Sequence, residues 1–229
     1  MIRPLYFHNP NQEGFEAIIK HLHSKNYKFI SIEELYSRLE KNDTKGKLAY
    51  ISFDDGWQGN LKLIPIIEKY NVHITIFIAV NPIMSGNFWW EFVAKKVGYT
   101  QMQNFKNLPH DEFESQLKKI KTEVADLQRS TMTIDELETI TKHPLISIQS
   151  HTINHPILTK LPDDLLDFEL SESQKQLEKI TGKSIFAIPT GPFLIEKSTL
   201  QKNIIKLHFQ QSRIISRQVQ ICIPYHAMH

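Results

Sequence analysis

Leu48-Ala49-Tyr50-Ile51-Ser52-Phe53-Asp54-Asp55-Gly56-Trp57 carries an apolar run straight into two adjacent carboxylates, and its reading decides the fold. An apolar run of this length, ended by a turn pair, reads as a buried strand. Two acids side by side just past such a strand must either be solvated or be given a cation. About a hundred residues later, Ser150-His151-Thr152-Ile153-Asn154-His155-Pro156 follows a second apolar run, Leu145-Ile146-Ser147-Ile148, and supplies two imidazoles. One Asp and two His make three N/O ligands, the count a catalytic Zn²⁺ site uses when its fourth position is left to water. The other Asp is then free to act as a base. Taken alone, Asp-Gly is a favoured turn pair, and either histidine could be an ordinary surface or core residue. Taken together, two segments that each end an apolar strand complete a ligand set.

Outward from that strand the pattern alternates. Leu61, Leu63, Ile64 and Ile67 fall at helical spacing within residues 60–70, and Val72 to Val80 alternates as a strand rich in β-branched residues. Strand, helix and strand at this spacing form a βαβ unit with parallel pairing. Upstream, Leu5 to Phe7 is a short apolar start, and Phe15, Ile18, Ile19 and Leu22 mark one face of a helix over 13–25. Ser31-Ile32-Glu33-Glu34 is a capping box that opens a helix running to about Leu39.

Residues 81–144 break the rhythm and read as a helical insertion between two strands, covering or flanking one end of the sheet. They hold the cluster Phe88-Trp89-Trp90, a charged helical stretch from about Asp111 to Leu127, and a second capping box, Thr133-Ile134-Asp135-Glu136. Beyond them come a strand over Leu145 to Gln149, a helix over Leu161 to Ile180 and a strand over Ile185 to Ile188 that ends at Pro189-Thr190-Gly191. A helix from about Lys197 to Leu207 and short strands at Arg213 to Ile215 and Ile221 to Ile223 complete the pattern. Each chemically loaded segment thus lies just after a strand, where the βα loops of a parallel barrel build active sites.

The 229 residues suit one α/β domain, 1–229, with a sizeable core. Lys and Arg number 27 against 25 Asp and Glu, scattered along helix faces, so nothing supports a nucleic-acid partner. The start of the chain lacks a signal-peptide pattern, and no run approaches the roughly 20 apolar residues of a spanning helix. A cytoplasmic protein is the plain expectation, with attachment to a membrane surface by another route left open. The single cysteine, Cys222, has no internal disulfide partner.

Phe53-Asp54-Asp55-Gly56 resembles the first motif, and Ser150-His151-Thr152-Ile153-Asn154-His155-Pro156 the second, of the polysaccharide deacetylases with a NodB-homology domain, carbohydrate esterase family four. The resemblance extends to Lys28-Phe29-Ile30-Ser31-Ile32-Glu33-Glu34-Leu35 and Thr75-Ile76-Phe77-Ile78, and runs to about Gly191. It implies a deformed (β/α) barrel, here of about seven strands with the helical insertion between strands. It also implies that Asp55, His151 and His155 hold a divalent metal, most suitably Zn²⁺, with Asp54 as general base. The implied reaction is hydrolysis of an N-acetyl group on an amino sugar of a poly- or oligosaccharide. Phe186-Ala187-Ile188-Pro189-Thr190-Gly191 occupies the third motif, which makes the Thr190 backbone N–H the candidate oxyanion donor and Pro189 a substrate-lining residue.

Two departures from the family pattern are visible. Ala187 stands where many members carry an arginine, and no tryptophan follows Trp90 to supply the later motif. The final Leu-x-His-type motif, source of the general acid, has its nearest counterpart in Leu207-His208, 17 residues past Gly191. Trp57 is the candidate for stacking on a sugar, whereas Phe88-Trp89-Trp90 reads more simply as core. Two rivals stand beside the deacetylase reading. One keeps the site but removes a formyl group or opens another non-peptide C–N amide; the other is a catalytically weak relative that binds glycan.

Overall fold

In the computed structural model, which describes residues 2–185, strand and helix alternate from the first segment. β1 (Ile2–Phe7) is followed by α1 (Gln12–Ser24), β2 (Lys28–Phe29), α2 (Ile32–Glu40) and β3 (Leu48–Phe53). A 3-10 turn over Gln58–Leu63 and α3 (Ile64–Lys69) then lead to β4 (Ile74–Ile78). Five helices come next: α4 (Val80–Ser85), α5 (Trp89–Val97), α6 (Tyr99–Phe105), α7 (His110–Glu123) and α8 (Ile134–Thr141). β5 (Ile146–Ser150) and α9 (Asp163–Thr181) complete the described residues.

Among the described residues, every pairing within the sheet is parallel. β1 runs along the whole of β3, from Ile2 opposite Leu48 to Phe7 opposite Phe53. A strand has two edges, so β2, opposite Leu48 and Ala49, and β4, opposite Ile51 to Phe53, share the other edge in succession. β5 lies beyond β4. This is the parallel α/β architecture expected from the alternation. The strands expected at Arg213 to Ile215 and Ile221 to Ile223, and nearly all of that at Ile185 to Ile188, lie outside the described residues.

The unbroken apolar character of β3 follows from its being covered on both faces. Successive side chains point to opposite sides. Ala49, Ile51 and Phe53 enter the main core with Phe15, Ile19 and Leu22 of α1 and Ile67 of α3. Leu48 and Tyr50 meet Ile2, Phe77 and the α2 residues Ile32 and Leu35 on the other side. The same parity turns Ser52 and then Asp54 to the α2 side, where polar groups replace apolar ones toward the C-terminal ends of the strands.

Local signals fix the helix ends. Asn11 caps α1 by accepting the Gly14 N–H at 2.7 Å. At Thr133 both bonds of the capping box form, with Glu136 returning the bond to the Thr133 N–H at 2.8 Å. Ser31 caps α2, while its partner Glu34 pairs with Lys28 and Arg38. Val80, read from sequence as the end of a strand, opens α4 instead; Pro82 fits the first turn, whose N–H groups have no intrahelical acceptor.

The block between β4 and β5 divides by where its apolar faces go. α5, α6 and α7 build their own cluster from Trp89, Val93, Met102, Phe105, Phe113, Leu117 and Ile120. α8 sends Leu137 and Ile140 into the main core, as a crossover helix does. No helix among the described residues is long and apolar enough to cross a membrane.

Glu16 ties α1 to α3, its carboxylate accepting Lys69 Nζ at 2.8 Å and Tyr70 OH at 3.0 Å. These bonds hold its carboxyl down to about 2. A depressed carboxyl stabilises the fold above its unfolded value, and the contribution is lost as pH falls through the folded value. Glu16→Gln should therefore lower the Tm slightly at neutral pH, with the gap to the parent closing between pH 4.5 and about 2 in thermal melts.

Candidate active site

The site is assembled from the loops that leave β3 and β5. The Asp54 N–H donates to the Phe7 carbonyl at 2.8 Å, extending the β1–β3 ladder one residue past the strand. Asp55 and Gly56 then turn the chain at φ 78° and 90°. The turn is walled by side chains: a Cβ on Gly56 would lie 2.8 Å from Ile78 Cδ1 and 3.0 Å from Ile83 Cδ1. From outside, the segment after α7 straps the loop. Met132 N–H donates to the Gly56 carbonyl at 3.1 Å, Gln58 N–H to Ser130 at 2.9 Å, and Trp57 bridges to Thr131.

The histidine loop is built the same way. His151 N–H bonds to the Ile78 carbonyl at 2.9 Å, carrying the β4–β5 ladder past the strand. Val80 N–H and Asn81 N–H then reach the carbonyls of Thr152 (3.2 Å) and Ile153 (2.8 Å). Thr152 and His155 have φ of 71° and 55°, a region that a β-branched residue rarely visits. Thr152 Oγ1 accepts the His155 N–H at 3.0 Å, closing the loop on itself.

This brings both imidazoles onto Asp55. Its Oδ1 lies 3.3 Å from His151 Nε2 and 3.1 Å from His155 Nε2. All three ligand atoms fall within 4.8 Å of one another, a cluster that could hold a metal ion. Asp55 is 1% exposed. Oδ1 is a buried oxygen that faces both ring nitrogens without a well-formed hydrogen bond to either. That is the condition of a metal ligand, and the donor set fits one.

The other oxygen, Oδ2, accepts the indole N–H of Trp57 at 3.0 Å. Trp57 lies 4.5 Å from Phe88, which stacks on Trp90 at 4.5 Å and 3°. Trp90 in turn meets the His155 ring at 4.9 Å, edge to face, and Trp89 Nε1 donates to the His155 carbonyl at 3.0 Å. An aromatic arc at the start of α5 therefore joins Asp55 to His155. Phe88 and Trp89 are buried, as the core reading of this cluster expects, but Trp90 is only half-buried and stands at the site. The available signal was position, since the cluster closely follows β4, whose end borders both loaded loops.

The two acids are driven apart electrostatically. Burial, and then the charge of Asp55, push the Asp54 carboxyl well above the usual carboxylate range. Burial also raises Asp55, but the two imidazoles overcome it and hold that carboxyl well below its ordinary value. One site thus holds two neighbouring carboxyls pushed in opposite directions, Asp54 toward higher and Asp55 toward lower proton affinity. Of the site residues expected from sequence, Asp54, Asp55, Trp57, His151 and His155 lie together here. Pro189, Thr190 and His208 lie outside the described residues.

A parallel α/β sheet with acids and imidazoles gathered beyond the C-terminal ends of its strands has the layout of an enzyme whose βα loops form the active site. The family model for polysaccharide deacetylase matches residues 41–207, and the chain belongs to that family. YxkH of Bacillus subtilis (strain 168), provisionally named a polysaccharide deacetylase, is 23% identical over 188 residues. That match takes in 80% of this chain, which spans only 51% of the length of YxkH. Among solved structures, the Streptococcus pyogenes deacetylase PplD, in complex with acetate, superposes with a TM-score of 0.59 at 17% identity, covering 91% of this chain and 80% of PplD. IcaB from Ammonifex degensii gives a TM-score of 0.59 at 15% identity, covering 90% and 80%.

Gly56→Ala forces a left-handed residue with a side chain into this turn and against Ile78 and Ile83. The expected result is a loss of about 1–3 kcal/mol of unfolding free energy in denaturant titrations. An unchanged midpoint would show that the turn relaxes freely.

Proposed function

We propose that the chain is a metal-dependent hydrolase that removes N-acetyl groups from amino sugars of a poly- or oligosaccharide. The observation that carries this reading is the buried carboxyl pair, split in proton affinity, with two imidazoles gathered on Oδ1 of one member within metal-binding distance of one another. Membership of the polysaccharide deacetylase family supports the substrate class.

In this reading Asp55, His151 and His155 hold the ion, and Zn²⁺ suits one oxygen and two nitrogen donors. When bound, the metal would supply Lewis-acid polarisation of the amide carbonyl and a lowered pKa for water. Asp54 is the general base: raised in proton affinity, it takes the proton of the attacking water and holds it on its carboxyl. The C–O bond forms first, giving a tetrahedral oxyanion, and the amide C–N bond then breaks as the amine takes up a proton, giving acetate and a free amino sugar. Trp57 keeps its N–H on Asp55 and is the sugar-facing candidate, with Pro189 lining the site. Thr190 N–H as oxyanion donor and His208 as the acid for the departing amine complete the assignment; these three roles rest on the family resemblance.

Elemental analysis and acetate release, measured together, test it. The parent should carry about one zinc per chain, and His151→Ala should lose it. Asp54→Asn should retain the metal while acetate release from N-acetylated sugars falls by about 10²–10⁴. A parent that takes up no metal, or an Asp54→Asn variant with undiminished turnover, would sink the assignment.

A further inference from the structure

We infer that Glu169 of α9, assisted by Ser173 one turn further on, is the positioning residue for the imidazole pair. The inference rests on the metal-site reading proposed above. Glu169 is 6% exposed and shares the inward face of α9 with Leu166, Ser173 and Leu177 at the spacing that aligns side chains on one side of a helix. A buried acid needs partners, and one short stretch of loop supplies them. Oε2 accepts the backbone N–H groups of Ile153 (2.8 Å) and Asn154 (2.9 Å), and Oε1 accepts Asn154 Nδ2 at 2.6 Å. All three donors lie between His151 and His155. Ser173 donates its hydroxyl proton to the Leu170 carbonyl, so Ser150, 2.5 Å away, donates to Ser173. Ser150 immediately precedes His151. α9 therefore holds the chain on both sides of His151 and up to the residue before His155.

The clamp has a direction. A carboxylate only accepts, so Asn154 turns its amide nitrogen to Glu169 and leaves its oxygen to accept Asn81 Nδ2 at 2.6 Å. The Asn81 backbone N–H bonds to the Ile153 carbonyl at 2.8 Å, so α4 grips the same loop. Such restraint is required because Thr152 and His155 sit at positive φ, a conformation that persists only where the surroundings over-determine it. Released, the loop relaxes and carries His155 Nε2 off the Asp55 oxygen it now faces at 3.1 Å. Glu169 touches no reacting atom; it acts through the loop.

The test uses the full chain, first metal-free and then titrated with Zn²⁺. In metal-free Glu169→Ala, amide exchange over residues 151–155 should quicken about tenfold or more, with β3 and β4 unchanged. Zinc binding should weaken roughly 10–100-fold. Glu169→Gln keeps an acceptor for the backbone N–H groups but sets donor against donor at Asn154, so a loss of about 3–10-fold is expected. Should the Ala variant fail to fold, the Gln variant decides. Leu166→Ala, on the same helix face, should lower the Tm while leaving zinc affinity of the folded protein at the parental value. Zinc binding within about twofold of the parent in the folded Glu169 variants, or an equal loss in Leu166→Ala, would overturn the inference. A parent that binds no zinc overturns the metal-site reading instead, and exchange over 151–155 then decides the clamp: faster sustains it, unchanged removes it.

Discussion

Charging two adjacent carboxyls in a place from which water is excluded is costly unless each is given partners, and the rest of this structure is arranged around that constraint. Taking an isolated carboxylate out of water costs several kcal/mol even after the protein relaxes. Here the pair resolves the conflict by dividing labour. Asp54 is raised in proton affinity, whereas Asp55 is lowered because two imidazoles face it, and an indole N–H takes its second oxygen. The division needs Asp55 to point across the sheet toward β5 while Asp54 continues the β3 parity, so the chain must twist between neighbours. A left-handed Asp55 followed by a left-handed Gly56 accomplishes this.

The parallel sheet makes the meeting of the two loops a matter of register. Ile78 of β4 lies opposite Ser150 of β5, and Phe53 of β3 opposite Ile76 of β4. Asp54 and His151 therefore leave the two strands that flank β4, about two residues apart in register, each still bonded to a neighbouring strand through its own N–H. Side chains carried past the strand ends in this way inherit the rigidity of the ladder, which loop residues otherwise lack. The remaining freedom lies in the stretch from Thr152 to His155, and hydrogen bonds concentrate there.

Much of this was legible in the sequence because it rests on local signals. The apolar runs, the Asp-Asp-Gly turn and the spacing of His151 and His155 each announce themselves within a few residues. Where reading failed, the deciding forces were tertiary. Val80 is β-branched and extends the β4 pattern, yet it turns into α4 because the backbone there bonds to Thr152. Residues 81–144 look like one block, yet α8 packs on the sheet while α5 to α7 pack on each other; only the destination of Leu137 and Ile140 separates them. Glu169 reads as one more acid on a charged helix, though its spacing from Leu166 and Leu177 places it inward. Trp57 could be read as a ring offered to a sugar, but no sequence pattern shows that its N–H is already committed to Asp55.

The aromatic arc gives the insertion a reason to begin where it does. α5 to α7 are stabilised by a cluster of their own, so their packing does not depend on the sheet. Their connection to the chemistry runs through Phe88 and Trp90, which bridge Trp57 to His155, and through the Trp89 N–H on the His155 carbonyl. Offset and edge-to-face aromatic contacts of this kind favour particular geometries as well as burying area. His155, the most exposed of the three candidate ligands, with 25% of its side chain accessible, is the one that receives this support. His151, almost fully buried, is held by the β4–β5 ladder and by the neighbouring Ser150–Ser173 bond. Each imidazole is thus fixed by the element nearest to it, and the sheet alone could have fixed only one.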